Sequence, residues 1–394
     1  MRETFIPFSP PLIGEEEIAE VVDTLRSEWV TTGPKVKRFE EEFATFVGSP
    51  GALALNSGTA ALHVALATLD VRPGDAVVTT PMTFCSSVHV IEQVGAKPIL
   101  VDIEPDTLNI DPAKIEEVLK LATRNSKLEV KALLPVHLYG HPCEMGAIMD
   151  IAKKYNLKVI EDAAHALPAK FNGKVIGTIG DLTAFSFYST KNMTTAEGGM
   201  LTGKSELIEE ARLWSLHGMD RDAWKRYSSE GSWYYEVIRP GFKYNMPDVA
   251  AAIGIQQLRK LNKFQTRRKE IVSRYNEAFS KFEELQIPVK RSEVEHAWHL
   301  YVIRLNLNRL KISRNQFIEE LKARNIGTSV HFIPIHMHPY YRDKYGYKPD
   351  DFPIAYREYQ RIISLPIYPK MTDRDAEDVV EAVTEVVQHF RNEQ

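Results

Sequence analysis

Residues 158–200 read KVIEDAAHALPAKFNGKVIGTIGDLTAFSFYSTKNMTTAEGGM, and this stretch decides the architecture. It holds two short apolar runs of strand length, KVIED (158–162) and TAFSFYS (183–189). Asp162 closes the first run and Lys191 follows the second, so each ends on a residue able to do chemistry. The same texture repeats upstream. AVVTT (76–80), PILVD (98–102) and ALLPVHL (132–138) are further runs, and segments 59–69, 84–94, 111–123 and 144–155 read as the helices between them. Such alternation predicts βαβ crossovers, hence an α/β fold whose mostly parallel sheet carries helices on both faces. Ligands of such sheets lie outside the carboxyl ends of the strands, so chemistry is sought just after each run.

Toward the N-terminus, Ile18, Val21, Val22 and Leu25 fall at helical spacing, as do Val36, Phe39, Phe43 and Phe46. The Gly33-Pro34 pair marks a turn between these two helices. After residue 245 a long charged helical stretch (247–279) leads into HLYVIRLNL (299–307), a helix near 314–324, GTSVHFIPIH (327–336) with its strand-like HFIPI run (331–335), and a final helix. Thr372 and Asp375 open that last helix as a capping pair, and Ala376, Val379, Val380, Val383 and Val387 share one of its faces. The expected division is a large domain over residues 1–255 and a smaller α+β domain over 256–394.

Composition removes several classes of function. Across 394 residues, 49 Lys and Arg oppose 53 Asp and Glu for a net charge of −4, which gives no footing for a nucleic-acid partner. Apolar residues at 44% and charged residues at 26% suit a soluble globular chain with a sizeable core. Cys85 and Cys143 are too few to staple it and fit a reducing compartment. No apolar run nears the roughly 18 to 20 residues that span a bilayer, so a cytoplasmic protein without a membrane partner is expected.

Three segments remain as carriers of chemistry. In NSGTAALHVALATL (56–69) a small polar turn feeds an apolar helix, whose first amides lack intrahelical partners. Ser57, Gly58, Thr59 and Ala60 therefore form a phosphate cradle or, taken alone, an ordinary helix cap. Neither a GxGxxG nor a GxxxxGK[ST] pattern competes. At the end of KVIED, Asp162 is placed either to accept a protonated ring nitrogen or to cap the next turn, with His165 close behind. Lys191 enters a small polar loop of Ser189, Thr190, Thr194, Gly198 and Gly199; most lysines are merely solvated, and one acting as a nucleophile needs a lowered pKa. Taken together, a helix-start anion site, a strand-end carboxylate and a strand-end lysine meet the needs of one cofactor, pyridoxal phosphate.

The motifs WVTTGPKV (29–36), LNSGTAALHVAL (55–66), PMTFCSS (81–87), EDAAHALPA (161–169), FSFYSTKNMTTAEGGM (185–200), HGMDRDAW (217–224), PGFKYNMPDVAAAIGIQQL (240–258) and SLPIYPKMTD (364–373) run through nearly the whole chain. With them the sequence resembles the DegT/StrS-type sugar aminotransferases, a branch of the fold type I pyridoxal-phosphate enzymes. The resemblance implies Lys191 as the Schiff-base lysine and Asp162 as partner of the pyridine nitrogen. It implies Gly58, Thr59, Ala60 and Ser186 around the phosphate, Phe84 against the ring and His165 near the ring hydroxyl. Asn245 matches a residue that reaches the phosphate of a neighbouring subunit, which implies a homodimer with shared sites. Relatives that carry His in place of the lysine perform deoxygenation, so Lys191 favours amino transfer.

The activity so implied is transfer of an amino group from glutamate to a nucleotide-linked keto-sugar, in amino-sugar biosynthesis for cell-surface polysaccharide. HGMDRDAWKRY (217–227) and VHFIPIHMHPYY (330–341) resemble segments of enzymes that aminate C4 of UDP-4-keto sugars, while C3 transfer and dTDP or GDP sugars are the alternatives. Thr31, Thr32, Tyr188 and His331 are the candidate sugar contacts. No metal is expected, although His331, His336 and His338 raise a metal-dependent hydrolase as a rival of another class. A regulator with a vestigial cofactor site is a second rival, against which Lys191 speaks.

Overall fold

The structure, a computed structural model, describes residues 3–27, 29–124, 129–220 and 234–392. The part of HGMDRDAWKRY from Arg221 to Tyr227 lies outside the described residues.

In chain order the first nine strands are β1 (Gly51–Leu55), β2 (Asp75–Thr79), β3 (Lys97–Leu100), β4 (Glu129–Leu133), β5 (Lys158–Asp162), the short β6 (Lys170–Phe171) and β7 (Lys174–Val175), β8 (Leu182–Ser186) and β9 (Gly199–Gly203). All but β6 and β7 join one seven-stranded sheet ordered β1-β9-β8-β5-β4-β2-β3. Pairing is parallel from β3 through β2, β4 and β5 to β8, and β9 alone is reversed, antiparallel to both β8 and β1.

Alternation along these strands makes two cores. Ala52, Ala54, Val78, Leu133, Val159, Phe185 and Met200 face one side, against Phe39 and Phe43 of helix Pro34–Val47 and Ile255 and Leu258 of helix Asp248–Phe279. Leu53, Leu55, Val77, Ala132, Ile160, Leu182, Ala184 and Leu201 face the other, against helix Gly58–Thr68. That helix is buried from Ala60 to Leu66, as expected of one apolar on all sides. The period of two has a direct consequence for the site. Asp162 continues the series of Ile160, and Ser186 that of Leu182 and Ala184, so both emerge at strand ends on the face that carries helix Gly58–Thr68.

Past the long helix come β10 (Leu285–Gln286), β11 (Val294–Glu295), β12 (Tyr301–Leu305) and β13 (Ile362–Leu365). β12 lies between β10 and β13 in a second sheet, while β11 pairs with β6. Their core joins Tyr275, Phe279, Tyr301, Ile303, Phe317, Ile363, Val379 and Val383, and it recruits Ile6 from the opposite end of the chain. The expected boundary at 255/256 falls inside helix Asp248–Phe279, which contributes to both cores. Thr372 Oγ1 accepts from Asp375 N–H (3.1 Å) and an Asp375 oxygen accepts from Thr372 N–H (2.8 Å), the expected capping pair of helix Asp373–Phe390.

Two local differences stand out. The 331–335 run is not a strand: Pro334 has no N–H to give a ladder, and the chain turns into a short 3₁₀ segment at Ile335–Met337. Helix Glu15–Arg26 forms, but its apolar stripe faces outward, with Ile18 49%, Val22 37% and Leu25 57% exposed. Among the described residues no helix is long and apolar enough to cross a membrane.

Candidate active site

The anion end of the site is built by close backbone approach. Ser57 caps helix Gly58–Thr68 by accepting the Ala60 N–H at 3.0 Å, which leaves the amides of Gly58 and Thr59 at the helix start. A Cβ on Gly58 would lie 2.8 Å from the Ser186 Cβ, and one on Gly199 would lie 2.4 Å from the Ser57 carbonyl oxygen. The two glycines thus let the Ser57–Thr59 turn sit directly on the ends of β8 and β9. Ser186 Oγ accepts only a long contact from the Tyr188 amide (3.5 Å) and remains available to a ligand.

The carboxylate end is held from two sides. Asp162 is 4% exposed, accepts Ser87 Oγ–H at 2.7 Å on one oxygen and accepts the Ala164 N–H at 3.1 Å on the other. Thr83 Oγ lies 2.8 Å from Ser87 Oγ and donates to it, since the serine hydrogen is committed to the carboxylate. Ser87 stands in the first turn of helix Ser86–Gln93, and Phe84, 57% exposed, lies just before that helix with its ring 5.9 Å from that of Phe332. Burying a carboxylate without partners costs several kcal/mol; the Thr83–Ser87 chain and the Ala164 amide supply Asp162 with those partners. Ser87 closes the PMTFCSS motif (81–87), where nothing local marks its meeting with Asp162, 75 residues on.

Between these ends, Lys191 Nζ makes no hydrogen bond or ion pair with any described residue. Burial lowers its pKa from 10.5 to about 8, while the Asp162 charge pulls the other way. His165, His299 and His331 surround it as neutral rings. Burial first, then the Lys191 and His331 charges, hold His165 well below its usual pKa. Burial and Lys191 bring His331 down to about 4. His165 Nδ1 accepts the Tyr139 N–H at 3.2 Å, and its ring lies 4.4 Å from His299 and stacks on Phe332 at 5.7 Å. His331 bonds Ser364 through Nδ1 (2.9 Å) and stacks against Phe8 at 5.3 Å. His299 opens HLYVIRLNL (299–307), a segment without a chemical motif in the sequence.

The outer residues fall in two groups. Tyr188 is 47% exposed at the rim beside the lysine loop. Thr31 is exposed, whereas Thr32 is buried and donates to the Met246 carbonyl at 2.6 Å. Asn245 donates to Thr32 Oγ at 2.5 Å and bridges Leu55 of its own chain. Thr32 and Asn245 thus lie together on the approach to the helix start. His331, His336 and His338 do not converge. His336 is fully buried against Phe352 at 4.9 Å, and no three His, Cys, Asp or Glu side chains among the described residues gather as metal ligands.

A helix start with free amides, a buried carboxylate held by neutral donors and an amine without a hydrogen-bond partner among the described residues fit the phosphate, the ring nitrogen and the aldehyde of pyridoxal phosphate, respectively. Known proteins point the same way. A model described as the DegT/DnrJ/EryC1/StrS aminotransferase family matches residues 11–384. The spore coat polysaccharide biosynthesis protein SpsC of Bacillus subtilis is 50% identical over 388 residues, covering 98% of both chains. Spr1654 from Streptococcus pneumoniae superposes in its PLP-form with TM-score 0.89 at 35% identity, over 98% of this chain and 99% of that one. PseC of Helicobacter pylori, an aminotransferase involved in the biosynthesis of pseudoaminic acid, superposes with TM-score 0.88 at 25% identity, over 98% of this chain and 100% of that one.

Proposed function

The chain belongs to the DegT/DnrJ/EryC1/StrS aminotransferase family, and from that premise we propose that it transfers an amino group from glutamate to C4 of a UDP-linked 4-keto-sugar. It is a pyridoxal-phosphate-dependent enzyme acting on sugars. One observation carries the reading of the site: Lys191 stands unpartnered, with its pKa lowered to about 8, between a buried carboxylate and a helix start shaped for an anion.

When bound, pyridoxal phosphate supplies a carbonyl for the amino group and a protonated ring that takes up the electron pair left at the donor's α-carbon. Every other part falls to the chain. The amides of Gly58 and Thr59, the Ala60 turn and Ser186 hold the phosphate. Phe84 covers the ring face, and His165, whose Nδ1 is occupied by the Tyr139 amide, offers its Nε2–H toward the ring hydroxyl. Asp162, fixed by Ser87 and Ala164, holds a proton on the ring nitrogen. Lys191, its lone pair free, would remove the α-proton of the donor and return it to the cofactor carbon on the other side of the amino nitrogen. In the second half-reaction it runs the same transfer in reverse onto the keto-sugar, with Thr31, Thr32, Tyr188 and His331 along the sugar side.

The exposed stripe of Ile18, Val22 and Leu25, continued by Trp29 (40%) and Val30 (43%), supports a homodimer, since lone monomers seldom leave such a patch uncovered. In that dimer Asn245 completes the partner's phosphate site. The whole is read as a cytoplasmic enzyme of amino-sugar synthesis for surface polysaccharide. The test is incubation with glutamate and a panel of UDP-, dTDP- and GDP-linked 3-keto and 4-keto sugars, with NMR of the products. Formation of a 4-amino UDP-sugar is expected. Selective turnover of a 3-keto or a dTDP-linked sugar would overturn the assignment.

A further inference from the structure

We propose that His299 is a positioning residue for Lys191, acting through the side chain of Asn192. The inference rests on the reading of Lys191 as the cofactor lysine. Because Lys191 Nζ has no hydrogen-bond partner among the described residues, the amine is aimed by the backbone that carries it, and the adjoining Asn192, 6% exposed, is what anchors that backbone. Asn192 Nδ2 donates to the Leu167 carbonyl at 2.7 Å and to the Ala297 carbonyl at 2.8 Å. Carbonyls only accept, so the orientation of the amide is settled and its Oδ1 faces His299 Nδ1, 3.2 Å away. An amide oxygen also only accepts, so His299 carries its hydrogen on Nδ1 and keeps a lone pair on Nε2.

The histidine is itself fixed from behind. Arg268, 1% exposed on the long helix, donates from one nitrogen to the carbonyls of Trp298 (3.1 Å) and His299 (3.2 Å). The lysine loop is thereby tied to the turn after β5 through Leu167 and to the lead-in to β12 through Ala297 and His299. Burial, and then the charges of His165, Lys191, Arg268 and His331, keep the His299 ring neutral, as the single Nδ1–H bond requires. Its ring lies 4.4 Å from that of His165, so a phenyl ring, one atom larger and without nitrogen, keeps an aromatic contact there and loses the bond.

Hydrogen exchange of residues 188–198, measured on the full-length protein with and without pyridoxal phosphate, tests this. His299→Phe keeps the ring and removes Nδ1–H, leaving Asn192 Oδ1 buried and unpaired, and exchange of the loop should quicken about tenfold. His299→Asn restores an amide N–H near the Nδ1 position and should stay within about twofold of the native protein. Adding Asn192→Ala to His299→Phe should change nothing beyond Asn192→Ala alone. A His299→Phe loop as protected as the native one, or a His299→Asn loop as fast as His299→Phe, would overturn the proposal. Should His299→Phe not fold by circular dichroism, Asn192→Ala decides with the histidine intact: its loop must exchange about tenfold faster. If instead the lysine assignment is wrong, Lys191→Ala retains the visible cofactor band while these exchange rates stand, so the two failures read differently.

Discussion

Lys191 and Lys35 are the same side chain in opposite surroundings. Lys35, at the start of helix Pro34–Val47, reaches Glu20 and lies 2.6 Å from Asp23. Burial alone would lower its pKa, yet the hydrogen bonds to Asp23 and Glu20 win and raise it. Lys191 also has a carboxylate in its neighbourhood, and its pKa nevertheless falls to about 8. Burial is the first cause at Lys191, and the charge of Asp162 opposes it without a direct bond, whereas at Lys35 direct bonds outweigh the burial. Glu20 and Asp23 turn oxygens to the ammonium, whereas both oxygens of Asp162 are taken by Ser87 and Ala164. A lysine becomes a base here because burial lowers its pKa and the nearby acid, bonded to other donors, makes no direct bond to offset it.

Removing the amine is the harshest way to break the contrast. Lys191→Ala should lower the transamination rate at least about 10³-fold, the scale of a lost general base, and abolish the visible cofactor band; a variant keeping both would refute the role. Next in size is the ionisation itself. With its pKa near 8, Lys191 in the cofactor-free protein is a neutral amine above pH 8 and an ammonium below it, so acylation read by peptide mass spectrometry should reach half its maximum near pH 8. At pH 7 that makes it about 300-fold more reactive than a lysine of ordinary pKa. Lys35, pulled the other way, should stay unlabelled until well above pH 10. Equal labelling of the two at pH 7 would remove the distinction.

Much of this was legible in the residues, and unevenly so. β2, β3, β5 and β8 lie close to where the apolar runs placed them because buried parallel strands are written as short, nearly continuous apolar stretches. The 132–138 run gives a strand only to Leu133, since Pro135 cannot continue a ladder. The reversed β9, GMLTG between glycines, has no such signature; it is a strand because β8 and β1 flank it. Lys191 and Asp162 could be singled out because strand ends are where ligands bind. Ser87, Asn192 and His299 could not, as their roles rest on meetings 75 and 107 residues apart in sequence that no local pattern encodes. The outward turn of Ile18, Val22 and Leu25 was equally hidden: a period gives an apolar face, not what covers it.

The carboxylate side yields the next two effects. Asp162→Asn keeps the shape and deletes the charge that holds the ring proton, so the rate should fall about 10²-fold, with cofactor affinity reduced far less. Normal turnover with normal binding would dismiss the role. Ser87→Ala removes one charge-assisted hydrogen bond, worth about 1.5 to 3 kcal/mol, and frees an Asp162 oxygen. The freed oxygen can then turn to the Lys191 ammonium, so the midpoint of Lys191 acylation should move upward from pH 8 and the rate at neutral pH should fall roughly tenfold. A downward or absent shift would show that Ser87 does not keep the acid and the amine apart.

Lys35→Met supplies the smallest effect and the sharpest control. The Lys35 backbone N–H, which bonds Asp248 at 3.0 Å and helps start its helix, is untouched by the change. Glu20 keeps Gln256 at 2.5 Å and Arg38 at 3.4 Å, and Asp23 returns to solvent, so neither acid is stranded. Pairs this close to the surface are worth about 0.2 to 1 kcal/mol, and for a chain of this size that moves the melting temperature by less than about 4 °C. Turnover, the visible band and the pH midpoint of Lys191 should all remain at their native values. A change in any of them would mean that the two lysines share one electrostatic field across the chain, and the separation drawn between a structural and a catalytic lysine would fail at its easier end.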